Sequence, residues 1–138
     1  MKISVDTNVL ARAVLQDDVE QGRAAAKILE EASLIAISLS CLCELVRILL
    51  RGAQFSKEKV VLALKALLDA GNVVMNRPAV EAGLLVLAAG GDFADGVIAY
   101  EGKWLGGEVF VSFDKKAVAI LSAHGEPTRL LQGEKKAF

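Results

Sequence analysis

Ile3-Ser4-Val5-Asp6-Thr7-Asn8-Val9-Leu10 reads as a short buried strand, Ile3 to Val5, that passes through Asp6 into a helix over Asn8 to Leu15. A strand that runs straight into a helix opens a crossover unit, and the same alternation continues outward along the chain. A second helix spans Asp18 to Glu31, opening at the carboxylates Asp17 and Asp18, and a second strand spans Leu34 to Ile37. Helices follow over Ser40 to Leu50, ending near Gly52, and over Ser56 to Leu68, with Ser56 as N-cap and Gly71 beyond its end. Asn72 to Met75 is a third strand, and Pro78 to Ala89 a helix with proline in its first turn, stopped by Gly90-Gly91. A short helix over Ala94 to Trp104, a strand over Val109 to Ser112, a helix over Lys115 to Ala123 and a strand over Thr128 to Leu131 complete the series. The pattern predicts an α/β fold with a parallel sheet covered by helices on both faces. It forms one domain over residues 1–131, followed by a polar tail over 132–138 that frays.

Size and composition agree with a single domain. The 138 residues are 54% apolar and 24% charged, which excludes intrinsic disorder. A folded monomer of 14.6 kDa exposes about 6,900 Å² of roughly 21,000 Å² in the unfolded chain, so a core is available without disulfides or a structural metal. The mean hydropathy of +0.44 is high for so small a chain and implies that some apolar surface faces a partner. No membrane span is expected, because Leu34 to Leu50 carries Glu44 and Arg47 in its interior. The formal charge of −1 does not mark a nucleic-acid binder by bulk charge. Cys41 and Cys43 are spaced C-x-C and His124 is the one histidine, which excludes a zinc site of paired C-x-x-C type and schemes that need two histidines. Met1-Lys2 reaches a charge too early for an export signal, and with the thiols this points to the cytoplasm.

In doubly wound sheets ligands bind beyond the carboxyl ends of the strands, and acids gather there. Asp6 follows the first strand and Asp114 the fourth; Asp92 and Asp95 sit in Gly91-Asp92-Phe93-Ala94-Asp95-Gly96 at a helix start; Glu44 lies inside the helix after the second strand. Carboxylates gathered without nearby lysines call for a hard divalent cation, Mg²⁺ or Mn²⁺, which activates water and neutralises a phosphate oxygen. Each acid also has a plainer reading. Asp6, Asp92 and Asp114 precede helices as N-caps do, and Asp92 with Asp95 is spaced as an acidic capping box. Glu44 shares a helical stripe with Ser40, Arg47 and Arg51, opposite Leu42, Leu45, Val46, Leu49 and Leu50. That stripe is either a solvated face with a Glu44–Arg47 pair, or a cleft wall with Glu44 on the metal and the arginines on phosphates. The cysteines read as packing residues, and His124 beside Gly125 as a helix C-terminal histidine.

Taken in order, Val5-Asp6-Thr7-Asn8-Val9-Leu10, Cys43-Glu44-Leu45, Phe93-Ala94-Asp95-Gly96-Val97-Ile98-Ala99 and Val111-Ser112-Phe113-Asp114 resemble the PIN-domain nucleases, and most closely the VapC-type toxin ribonucleases. The resemblance covers about residues 1–131. It implies a three-layer α/β/α sandwich on a five-stranded parallel sheet and a Mg²⁺- or Mn²⁺-dependent endoribonuclease. By motif, Asp6 and Asp114 would hold the principal metal, and Asp95 and Glu44 would complete its shell or position the attacking water. Asn8 and Ser112 would support the cluster, and Asp92 would be an auxiliary carboxylate. Gly96 stands where relatives usually carry alanine and is expected to loosen its helix. The resemblance also implies a homodimer and a VapB-type antitoxin partner, with an apolar groove expected near Ser40 to Leu68. A haloacid-dehalogenase-like phosphatase would need an acid in place of Asn8, and a receiver domain would need its aspartate on a middle strand. The remaining alternative is a PIN-like scaffold that binds RNA or protein without cleaving it.

Overall fold

In a computed structural model whose described residues are 1–134, the opening strand and helix are β1 (Lys2–Ser4) and α1 (Thr7–Leu15). Residues 135–138, the last part of the expected tail, lie outside the described residues. The chain divides into two compact units, Met1–Val80 and the residues from Glu81 onward.

The first unit continues with α2 (Val19–Glu31), β2 (Leu34–Ala36), α3 (Leu39–Arg47), α4 (Lys57–Asp69) and β3 (Val73–Val74). Its strands form a parallel sheet in the order β1-β2-β3, with Ile3 opposite Ile35 and Ile35 opposite Val73. The helices begin on caps written in the sequence: Asp6 accepts from Val9 N, Asp18 from Gln21 N and Ser56 from Lys59 N. The third helix starts ahead of its expected first residue, because Ser38 rather than Ser40 takes the cap position and accepts from Cys41 N. It also ends differently. Ile48–Gly52 forms a π-helical turn, in which Ala53 N donates to Ile48 O, five residues back, at 3.0 Å. The core of this unit is built by helical periodicity: Leu42, Leu45 and Leu49, with Val60 and Leu64 of α4, are at most 1% exposed. Truncating any of these leucines to alanine costs about 2–5 kcal/mol.

Helix α5 (Arg77–Ala88) leads into the second unit, which holds α6 (Phe93–Trp104), β4 (Phe110–Ser112), α7 (Lys115–Ala123) and β5 (Thr128–Leu130). Here β4 and β5 pair in parallel, with Val111 opposite Arg129. The single five-stranded sheet is therefore corrected: all five strands form, but their ladders divide into three strands and two. The strands are two or three residues long, and each except β2 carries an exposed residue. Parallel sheets gain their stability from burial on both faces, and strands this short and this wet sustain only short ladders.

Gly96 does the opposite of loosening its helix. A Cβ built there would lie 2.4 Å from Ala82 O and 2.7 Å from Gly83 Cα, so α6 approaches the backbone of α5 as only glycine allows. Gly83 in turn leaves room for the ring of the fully buried Phe93. Gly96→Ala is expected to lose about 1–3 kcal/mol to overpacking, more than the ~1 kcal/mol gained in helix propensity, a net loss that urea unfolding measures.

Candidate active site

The acids occupy helix starts, and the first cluster belongs to the first unit. Asp6 caps α1, with Oδ1 accepting from Val9 N at 3.1 Å, and Asn8 stands exposed two residues on. Thr7, the residue between them, is 8% exposed, the buried polar residue of the described chain. Its Oγ1 donates to Glu44 Oε2 at 3.1 Å, joining the start of α1 to the middle of α3 across 37 positions of sequence. Glu44, Arg47 and Arg51 are all exposed, as either reading of the stripe requires. The i, i+3 pair with Arg47 does not form: the ion pairs among the described residues are Arg12–Asp17 and Lys103–Glu126. Glu44 is held by a threonine hydroxyl instead. Burial pushes the Cys41 thiol up, against a hydrogen bond with Thr7, and the charges of Asp6 and Glu44 push the same way as burial. Both carboxylates therefore act on one buried point.

Thr7 is the residue that sequence reasoning passed over. Its signal was present, since Thr7, Leu10 and Ala11 repeat at i, i+3, i+4 and are all buried, which puts the hydroxyl on the inward face. Arg51 is displaced from its expected frame, because it falls in the π-helical turn and not in α3. Asp6 and Asn8 also border a cleft of about 500 Å³ with Arg12 and Gln21; the Arg12 guanidinium is fixed by Asp17 at 3.0 Å and Gln21 at 2.8 Å.

The second cluster belongs to the second unit. Asp92 caps α6 through Ala94 N at 3.0 Å, and Asp114 caps α7 through Lys116 N at 2.9 Å and Ala117 N at 3.2 Å. In all three caps the backbone bonds go to Oδ1, which leaves Oδ2 outside the cap. Ser112 Oγ accepts from Asp114 N at 3.0 Å and so fixes the turn that presents this aspartate. Asp95 is not a cap. Its amide bonds back to Asp92 O, its side chain does not close the capping box, and it is partly buried in the first turn of α6. Burial raises its carboxyl above the ordinary aspartate range, and the charges of Asp92 and Asp114 raise it further. Asp95 thus feels the charge of both neighbouring acids, and none of the three is in a described ion pair.

The larger cleft of this unit, about 600 Å³, is elsewhere. It is lined by Leu85, Ala99, Tyr100, Trp104, Leu121 and others, with none of the acids of the two clusters. Its walls are mainly apolar, with Lys103, His124 and Glu126 at the same cleft. His124 keeps the role its position suggested, with Nδ1 2.7 Å from Ile120 O at the end of α7, and neither cysteine is in a disulfide.

The PIN domain family matches residues 3–120, most of the chain. The protein belongs to the PIN-domain family. A comparison with curated proteins finds no match to the chain. PIN domains are generally nucleases, hydrolases acting on nucleic acids, and typically use divalent metals. The donor chemistry of this PIN domain fits such an ion: every candidate ligand is a carboxylate oxygen, and Asp95 is raised by burial and then by the charges of Asp92 and Asp114. The side chains are not drawn in around an ion, since among the described residues no three His, Cys, Asp or Glu side chains are grouped closely enough to hold one. Among the described residues, no helix of this PIN domain is long and apolar enough to cross a membrane.

The sign of the Asp95 shift yields a stability test. A carboxyl raised in the folded state contributes stability that is complete below its unfolded pKa and is lost as pH rises through the folded value. At neutral pH the ionised Asp95 therefore weakens the metal-free fold. Asp95→Asn is expected to raise the metal-free melting temperature at pH 7, and the difference should vanish as pH falls below the ordinary aspartate range. Melting curves from acid to neutral pH in EDTA check this.

Proposed function

We propose that this PIN domain is a divalent-metal-dependent endoribonuclease that hydrolyses RNA phosphodiester bonds in the cytoplasm, the toxin of a VapBC-type toxin–antitoxin pair. The observation that carries the reading is the placement of three acids at two adjoining helix starts of one unit: Asp92 and Asp114 as caps that use Oδ1, and Asp95, partly buried, outside every cap.

In this reading Asp6, Glu44, Asp95 and Asp114 bind Mg²⁺ or Mn²⁺ directly or through water, with Asp92 as an outer acid. The bound ion supplies a lowered pKa for water and charge neutralisation on the phosphate. The chain's own residues do the rest. Ser112 and the α7 amides fix Asp114, the α1 amides fix Asp6, and Asn8 offers a neutral donor and acceptor beside it. Arg47 and Arg51, both exposed, engage phosphates of the RNA.

A homodimer and an antitoxin belong to the same proposal. Among the described residues, most exposed large apolar side chains come after Glu81, with Leu85, Ile98, Trp104, Leu105, Val109 and Phe113 among them, whereas Ser40 to Leu68 offers Leu62 alone. The apolar surface proposed for a partner includes these residues of the second unit, in addition to the groove expected near Ser40 to Leu68.

A PIN-like scaffold that binds RNA without cleaving it is favoured by one observation, the absence among the described residues of a ready three-ligand group. Incubating matched single-stranded RNA and DNA with the protein and Mg²⁺ or Mn²⁺ decides between the two. Internal cuts in RNA by the wild type and none by Asp95→Asn are expected. Binding of RNA with no cut in either metal would establish the scaffold.

A further inference from the structure

We infer that Thr7 is a positioning residue that sets the Glu44 carboxylate for metal binding, a role that rests on the nuclease reading above. Thr7 is buried, yet its hydroxyl is spent on an exposed carboxylate 37 residues away and not on its own helix. At a helix start a threonine hydroxyl ordinarily serves the local backbone, but here Asp6 already holds the cap. Bonding Oε2 to Thr7 leaves Oε1 as the oxygen of Glu44 open to a ligand or a water, and it removes the rotamer freedom that a glutamate on an exposed helical face keeps. The same hydroxyl meets Cys41, one turn before Glu44 on α3, so the fixed point is tied to the helix as well as to the carboxylate. Asp6, the neighbouring residue, is fixed separately by its cap bond from Val9 N. Hydrogen-bond partners of metal ligands act in this way, and losing one typically costs about 10–100-fold in metal affinity or activity.

A bland account remains to be separated, in which the bond only ties α1 to α3. Thr7→Val keeps the shape and removes the hydroxyl; Thr7→Ser keeps the hydroxyl. Calorimetric titration with Mn²⁺ and RNA cleavage are measured for both, alone and in the Glu44→Gln background. Thr7→Val is expected to weaken Mn²⁺ binding about 10-fold and to lower cleavage with it, while Thr7→Ser stays within about 2-fold of wild type. In Glu44→Gln protein, Thr7→Val should add nothing further, because the residue acts through the carboxylate already removed. Thr7→Ala is the second hydroxyl-free variant, carried through the same titrations should Thr7→Val melt below assay temperature. Wild-type Mn²⁺ affinity in a folded hydroxyl-free variant, or an equal loss with and without Glu44, overturns the role of Thr7 alone. Wild-type protein that binds no Mn²⁺ and cuts no RNA overturns the nuclease reading itself, and the role with it.

Discussion

Asp114→Asn is expected to reduce RNA cleavage by at least about 100-fold, equivalent to about 2.7 kcal/mol of transition-state stabilisation, while shifting the melting temperature by no more than a few degrees. The two effects separate because the side chain does two jobs with different atoms. Its Oδ1 accepts from Lys116 N and Ala117 N, and an asparagine carbonyl oxygen accepts the same two bonds. The helix loses a favourable charge at its N-terminus, worth about 0.3–1 kcal/mol, and gains the relief of repulsion with Asp95. Metal binding has no such substitute, since the amide is uncharged. Asp6→Asn should behave alike, with its cap bond from Val9 N retained. Asp114→Ala gives the contrast, losing activity and also about 1 kcal/mol of capping. Thermal melting beside a cleavage assay per folded molecule reads both quantities. Unchanged activity per folded molecule in Asp114→Asn would return these aspartates to caps and nothing more.

The fold was legible where the sequence punctuates itself. Asp6, Asp18 and Ser56 start helices at the expected residues because an oxygen-bearing side chain ahead of an apolar period has few other uses. Gly90, with φ +94°, and Gly125, with φ +86°, stop helices for the equally local reason that left-handed backbone favours glycine. What failed depends on distant neighbours. Whether five strands close one ladder or two is decided by how much of each strand is covered, and a three-residue apolar run looks the same in both cases. The π-helical turn at Ile48–Gly52 is another such case, because an i−5 bond leaves no mark in an apolar period. Gly96 misled for the same reason: intrinsic propensity describes its own helix, whereas the carbonyl of Ala82 that excludes a Cβ lies on another.

At the candidate site the acids were legible as residue types after strand ends, but their dual use was not separable from sequence. A cap and a ligand want the same aspartate at the same place, and the structure shows that Asp6, Asp92 and Asp114 do cap. Asp95 differs from them because it sits in the first turn of α6 without capping it, a difference that needs the unclosed capping box to be seen. Glu44 likewise depended on its partner. On the helical wheel Arg47 was the nearest candidate, whereas the bond that forms comes from Thr7 on a different helix.

Removing divalent metal should have the largest effect of all. With a formal charge of −1 and acids as the candidate ligands, the metal-free protein repels an RNA phosphate; a bound dication becomes the dominant local charge and reverses that field. Cleavage is therefore expected to fall to background in EDTA and to return on adding Mg²⁺ or Mn²⁺. Ca²⁺ should occupy the carboxylates yet support little turnover, because its longer and looser coordination does not hold water and phosphate in line. The arginines give an independent handle on the same balance. Arg51→Glu should weaken RNA engagement across sequences and flatten its salt dependence by about 0.7 in log–log slope for each phosphate no longer neutralised, with Mn²⁺ affinity retained. Asp95→Asn should show the converse, with impaired Mn²⁺-supported turnover and an unaltered salt slope. A metal titration of cleavage at two salt concentrations for wild type and both variants resolves the two effects. Undiminished cutting in EDTA by wild-type protein, with Asp95→Asn prepared in parallel to expose any contaminating ribonuclease, would refute the metal mechanism, because carboxylates alone supply no positive charge to replace the ion.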